Sequence, residues 1–402
     1  MLNRSLMSQG YFSRVSLCRL RRQVVFASLL ALWGCGDSGN PNTTATPAAT
    51  KSLSSFTVSS DEQNVIPPDS PFGLDNPDEH VPFLRQANGS FRLWLAGGGS
   101  AGTFGLSSPE LMSFTSLVPT GGAAIGVLLP SGPGTTAFDA DYAGVGSVFP
   151  AANKTDLLMI YHAKNHLFNG ELSSGNPFYA AIGLARSIDG GVTWTREGEN
   201  IGAHDPQLPT QTTGGAGALT PSAVESGGYI YVIFREIDPQ SKVTGFALAR
   251  APIASDGVPG SWQKYSGGAF STAGLGGAFT PLNVVLDPTV PGDMRQPQVS
   301  FNVYFQQFLM VSVGNGGIYA QTSADLINWT PGIVVLQAPV PDSTVNLSTK
   351  PPSPFNWYPT IISLDQPSDQ MSDQTGYIYY AKGTGVNSEH LMYRRAFNIV
   401  AK

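Results

Sequence analysis

Five apolar runs recur along the chain at nearly constant spacing. FRLWLA starts at Phe91, DLLMIYHA at Asp156, YIYVIFRE at Tyr229, QFLMVSVG at Gln307 and YIYYAKG at Tyr377, so successive starts lie 65 to 78 residues apart. A period of this length outweighs local propensity, because each repeat is one supersecondary unit that can bury its apolar faces only against its neighbours. Each run is preceded by a second strand-like segment: VPFLRQ from Val81, GSVFPA from Gly146, TPSAVES from Thr220, QPQVSFN from Gln296 and YPTIIS from Tyr358. Four of these open with x-Pro, the pattern expected at the first residue of a strand, where a missing N–H costs no ladder bond. Each run is followed by a third segment: GTFGLSS, AIGLARS, GFALARA, IYAQTSA and LMYRRAF.

Strand, turn, strand, loop, strand, with a fourth strand before the next unit, is the pattern of a radially repeated antiparallel blade. The expected fold is all-β, a five-bladed β-propeller of four-stranded blades over residues 56–402. SSFTVSS, from Ser54 to Ser60, is the candidate outer strand of the last blade, closing the ring. Six blades are the alternative, because the segment from Trp262 to Met294 has room for further strands. The 46 Gly and 31 Pro among 402 residues agree with a turn-rich β protein. No helical apolar period appears beyond the first 35 residues.

Those first residues read as a targeting segment. Arg14, Arg19, Arg21 and Arg22 precede VVFASLLALWG, which is too short to span a bilayer. The segment ends at Leu32-Trp33-Gly34-Cys35, which resembles the lipobox of bacterial lipoproteins. The resemblance implies a signal peptide over residues 1–34, lipidation of Cys35, and a place in the bacterial cell envelope, periplasmic or at the cell surface, held to the membrane through the lipid alone. An ordinary signal peptide with a chance cysteine is the alternative. The polar, Pro-containing stretch over residues 35–55 buries too little apolar area to fold and reads as a tether. Cys18 leaves with the signal, so the exported domain has no disulfide and depends on its core. Residues 1–34 hold five Arg and no acid, so the remainder carries 17 basic against 28 acidic residues, a net −11. That surface argues against nucleic acid as a partner. A monomer is expected.

SIDGGVTW, from Ser187, and SADLINW, from Ser323, each follow a third strand, and Ser108 to Phe114 is a degenerate copy. The side chains are suited to a hydrogen-bonded turn, with Gly190 and Gly191 permitting positive φ. The motif resembles the Asp box of sialidases and related propellers, and SADLINW is similar to a variant in five-bladed glycoside hydrolases. In such a topology the turn between third and fourth strands lies on the face opposite the binding site, which forms where inner strands begin and second strands end.

On that second face stand Asp78, Glu79 and His80; Asp139, Asp141 and Tyr142; His204 and Asp205; Asp293 and Arg295; Trp357 and Tyr358; and, after second strands, His162, Lys164, His166, Arg235, Glu236, Asn315 and Lys382. Carboxylates gathered around an axis raise one another's pKa, while a neighbouring cation keeps another ionised, and glycosidic hydrolysis needs such a pair. The candidate carboxylates are Asp78, Asp141 and Glu236. Glu79, His80, His162, Asp205, Arg235 and Arg295 are candidate substrate contacts, and Tyr142, Trp357 and Tyr358 candidate stacking surfaces for a sugar. No cofactor is required; His80, His162, His166 and His204 leave room for a bound metal ion, without a tight ligand motif. The five-bladed glycoside hydrolases that the chain resembles carry an Asp at the first inner strand, which Asp78 or Glu79 matches, a second Asp at a later one and a Glu before Gly-Pro or Cys-Pro, for which Asp141 and Glu236 stand in from a different blade position. Two readings follow: a glycoside hydrolase or other glycan-processing enzyme, or a non-catalytic propeller that binds a glycan or protein.

Overall fold

The computed structural model describes residues 51–402 except 67–76, 98–101, 118–126, 130–131, 133–136, 167–177, 204–215, 239–240, 242, 286–293, 315–316, 338–354 and 384–389. The Cys35 and signal-peptide readings lie outside the described residues, as do His204, Asp205, Asp293 and Asn315.

The described chain is a ring of five antiparallel blades, named here I to V in chain order. Inner strands are Phe83–Arg85, Tyr142–Pro150, Ala216–Ser226, Met294–Asn302 and Asn356–Ile362. Second strands are Phe91–Gly97, Leu157–Asn165, Tyr229–Ile237, Gln307–Gly314 and Thr375–Gly383. The third strands are Gly102–Ser108, Tyr179–Ser187, Thr244–Pro252, Gly317–Ser323 and His390–Ala401. Each second strand pairs with its inner and third strands, so the five apolar runs are the middles of the blades. Leu53–Val58 pairs antiparallel with His390–Ala401 and closes the ring with the chain's N-terminal side. The strand starts inside the stretch read as tether, because Leu53 already faces Ala401. Among its described residues, the segment after Trp262 makes no sixth blade. It forms Gln263–Ser266 and Ala269–Ala273, a hairpin added to the outer edge of blade III.

Blades are covered on both sides, which is why their middle strands read as continuous apolar runs. Alternation then assigns neighbouring residues to different interfaces. Met159 and Tyr161 pack with Trp94 between blades I and II, whereas Leu158 and Ile160 pack with Val232 and Phe234 between II and III. Ile233, Phe246 and Met310 fill the next interface, Val311 and Ile378 the next, and Phe83, Leu93 and Tyr379 join blade V to blade I.

Three of the inner strands, those of blades III, IV and V, start earlier than their x-Pro pairs suggest, whereas that of blade I starts just after Val81-Pro82. Pro221, Pro297 and Pro359 sit within the strands at bulges, where register slips between Leu219 and Ser222, Arg295 and Gln298, and Trp357 and Thr360. A bulge releases the proline from donating to the ladder. The residue before each proline takes positive φ: Thr220 at 48°, Gln296 at 53° and Tyr358 at 51°. The residue after it clasps the next blade. Ser222 Oγ accepts from Val299 N at 3.0 Å, Gln298 Oε1 from Ile361 N at 3.1 Å and Thr360 Oγ1 from Val81 N at 3.0 Å. Ser147, after Gly146 at the blade II bulge, accepts from Ala223 N at 2.8 Å. Between blades I and II the Thr103 hydroxyl donates to Ala143 O at 2.9 Å instead.

Candidate active site

Asp78, Glu79 and His80 precede the blade I inner strand and reach toward blades on both sides. His80 Nδ1 lies 3.2 Å from the Pro359 carbonyl of blade V. Glu79 Oε1 lies 2.5 Å from His162 Nδ1 in the second strand of blade II. The Asp78 carboxylate accepts from the Tyr358 hydroxyl at 2.9 Å, with the Lys164 ammonium 3.8 Å from its other oxygen. The Tyr142 hydroxyl donates to the Asp78 carbonyl at 3.1 Å, and Lys164 lies 4.0 Å above the Tyr142 ring. Tyr358 owes its orientation to the blade V bulge, its backbone N–H donating to Gln296 Oε1 at 2.9 Å.

Asp141 stands beside this group. Its backbone N–H donates to Lys164 O, and its Oδ2 accepts from His166 N at 2.6 Å and His166 Nδ1 at 2.9 Å. Its Oδ1 has no partner. The His166 ring rests 5.1 Å from that of Phe178. Asp78 keeps 17% of its side chain exposed and Asp141 11%, whereas Glu79 is closed to solvent.

Burial sets the protonation of the groups beneath. Desolvation pushes the Glu79 carboxyl well above its usual range, the Lys164 charge opposing and the Asp78 charge reinforcing. Burial, then the charges of Lys164 and His166, hold the His162 imidazole well below its ordinary value. The pair is therefore a neutral carboxyl donating to a neutral imidazole, the form that avoids two desolvated charges. Burial and then the Asp78 charge keep Tyr142 and Tyr358 protonated as donors. His80, fully buried, is pushed down to about 4 by desolvation, with backbone carbonyls opposing.

Two expectations are corrected. Glu236 does not face this mouth: strand alternation turns it into the interface between blades II and III, where both carboxylate oxygens lie 2.8 Å from Lys264 Nζ and both side chains are sealed. Tyr142 and Tyr358 are buried, their rings flanked by His162 and by His390 and Trp357, and they act through their hydroxyls rather than as stacking platforms. Trp357 is half-buried and stacked on Phe355 at 3.9 Å. Of the histidines weighed as ligands, His162 is held by Glu79, His166 by Asp141 and His80 by a carbonyl, His204 lies outside the described residues, and no group of three His, Cys, Asp or Glu side chains disposed to hold a metal occurs among those described. Arg235 and Arg295 stand half-buried at the same end of blades III and IV. Lys164, named only as a loop residue in the sequence, and Gln296, unnamed as a site residue, prove central to the position of Asp78. The proline after Gln296 and after Tyr358 is the sequence signal for these positions, because a bulge is one of the few places where a strand admits proline.

Both turns that resembled a motif close on themselves at the opposite end of their blades. Asp189 accepts from Val192 N, Thr193 N and the Thr193 hydroxyl, and Asp325 from Ile327 N, Asn328 N and Asn328 Nδ2. The blade II turn also packs on blade I, with Trp94 Nε1 donating to Gly191 O at 3.2 Å.

No protein-family model and no curated protein matches the sequence. Among solved structures, the chain is similar to a family 117 glycoside hydrolase from the marine bacterium Zobellia galactanivorans, at 13% identity over 86% of this chain and 90% of that one, with a TM-score of 0.51. The likeness is one of fold. An α-L-arabinofuranosidase from Lactobacillus brevis superposes with a TM-score of 0.48 at 11% identity, over 81% of this chain and 91% of that one.

Proposed function

We propose that the chain hydrolyses a glycan at the Asp78 mouth, with Asp78 and Asp141 as the reacting carboxylates. The observation that carries this reading is that two partly exposed carboxylates both belong to residues in contact with Lys164, Asp78 through the ammonium and Asp141 through its backbone N–H. Glycosidic cleavage needs one carboxylic acid to protonate the leaving oxygen and one carboxylate to act as base or nucleophile. Asp78 faces the Lys164 ammonium and accepts from Tyr358, whereas Asp141 has one oxygen bound by His166 and the other without a partner. Glu79 and His162 lie beneath and position Asp78 rather than touch substrate. A glycan as substrate is supported by the fold shared with a glycoside hydrolase.

The test is hydrolysis of aryl glycosides and arabino- and galacto-oligosaccharides by the domain. Asp78→Asn and Asp141→Asn should each lower kcat at least a hundredfold. Saturable oligosaccharide binding without release of any product would replace this reading with a non-catalytic binding propeller. As part of the same proposal, the domain is displayed at the bacterial envelope from a lipid on Cys35, which loss of acyl labelling in Cys35→Ala would support.

A further inference from the structure

We infer that the ring turns the end opposite Asp78 toward a lipid surface and directs the Asp78 mouth away from it. The inference rests on the reading of Cys35 as a lipid anchor, and it adds which end of the ring that anchor brings to the bilayer.

The chain enters the described fold at the far end of the ring. Leu53 faces Ala401, Ser52 N donates to Lys402 O at 3.0 Å, and Lys402 N donates to Ser52 O at 2.9 Å. The strand that carries Ala401 starts at His390, opposite Gly383 at the mouth end of the second strand, and passes Thr375 at the other end of that strand, which faces Asn398. Ser52 and Lys402 therefore lie at the end of blade V away from Asp78. A contact to the next blade agrees. The Lys51 ammonium stands 5.0 Å from the centre of the Tyr304 ring, in the turn between the inner and second strands of blade IV. Turns of that kind lie where inner strands end, opposite the mouth.

Lengths decide which end the anchor favours. Fifteen residues separate Cys35 from Lys51. A polar, small-residue coil of that length has a root-mean-square span of roughly 20 Å. The second strands of blades II and III have nine residues each, and a strand of that length spans about 30 Å. To bring the mouth to the bilayer, the tether would have to run back along the full height of a blade, beyond its mean span. To bring the far end there, it has only to leave the fold at Lys51. Exposed acids, Asp189 and Asp325, stand at the far end, so chain entry sets the orientation and not charge attraction. A mouth so directed faces glycans beyond the domain rather than headgroup sugars of the anchoring bilayer.

The test is energy transfer from the acylated full-length protein to the membrane that holds it. Ile188, 80% exposed in the turn after the third strand of blade II, marks the far end; Val243, 37% exposed just before the third strand of blade III, marks the mouth end. Ile188→Cys and Val243→Cys would each carry a donor dye, in vesicles of phosphatidylethanolamine and phosphatidylglycerol with a headgroup-linked acceptor. Transfer should be at least about twofold stronger from position 188, since the two ends differ in height by about a strand length. Equal transfer from an acylated protein, or stronger transfer from position 243, overturns the orientation and leaves the anchor standing. A wild-type protein without an acyl group, or vesicle association that Cys35→Ala leaves intact, overturns the anchor and the orientation with it.

Discussion

His162 Nδ1 lies 2.5 Å from Glu79 Oε1, and neither side chain reaches solvent. With Glu79 raised above its ordinary 4.5 and His162 lowered below its ordinary 6.5, the folded pair is neutral over a broad range, while the unfolded chain carries both charges between those values. Folded and unfolded pairs then bind one proton each, so they contribute no slope to stability between pH 4.5 and 6.5. Below that window the unfolded chain binds more protons and stability falls with acid; above it the folded chain binds more and stability falls with alkali. Denaturant titrations across pH should show this plateau, and in Glu79→Gln the alkaline fall should shrink while the acid limb persists. An unchanged alkaline limb in that variant would mean that Glu79 is ionised in the fold.

Tyr358→Phe tests how Asp78 is held. Losing one hydrogen bond to a charged group is worth about 1.5–3 kcal/mol. If that bond orients Asp78 for reaction, kcat should drop about tenfold or more with little change in KM. A change confined to KM would assign Tyr358 to substrate binding.

Lys264 and Glu236 form a sealed ion pair, the Lys264 ammonium depressed by burial and supported by Glu236. Lys264→Met or Glu236→Leu alone should cost about 3–5 kcal/mol, because each takes one charge out of a sealed pair and leaves the other buried without it. The double variant should recover much of that loss. Recovery is read from urea midpoints, and additive losses in the double variant would contradict a paired charge as the source.

The turn at Asp189 should matter for stability and not for turnover. Partial desolvation opposes it, yet the hydrogen bonds from Thr193, Ser187 and Val192 draw Asp189 down to about 2. Its folded pKa is depressed, so its contribution is present above the ordinary 3.8 and lost as pH falls toward 2. Asp189→Ala and Gly191→Ala should lower the melting temperature at neutral pH while kcat/KM of the folded fraction holds. In Gly191→Ala the new Cβ would stand 2.3 Å from Trp94 Cζ2, at a backbone φ of +90°. A fall in kcat/KM without loss of stability would tie these turns to the site.

The ring was legible in the sequence because its signals are local. Two-sided burial makes each middle strand an apolar run, and the run recurs once per blade; the outer strand from Leu53 was visible as a short β-branched and aromatic segment lacking a partner nearby. Strand direction alone pointed to one end of the ring, where Asp78 meets Tyr358, Glu79 meets His162 and Asp141 meets His166. The bulges were not legible as such. An x-Pro pair reads equally as a strand start, and only the pairing of Leu219, Arg295 and Trp357 ahead of it shows that the strand has already begun.

What the sequence determined by itself is therefore the period, a closing strand and the end of the ring where polar residues collect, since these depend on spacing along the chain, while the choice of five blades over six waited on the pairing of the segment after Trp262 with blade III. Which carboxylates face the mouth was decided by tertiary structure. Glu236 and Arg235 are adjacent in sequence, and side chains of adjacent strand residues point to opposite faces; Lys264, 28 residues away, then seals Glu236. Asp78 is fixed by Tyr358, 280 residues distant, a contact that exists only once blade V has closed against blade I.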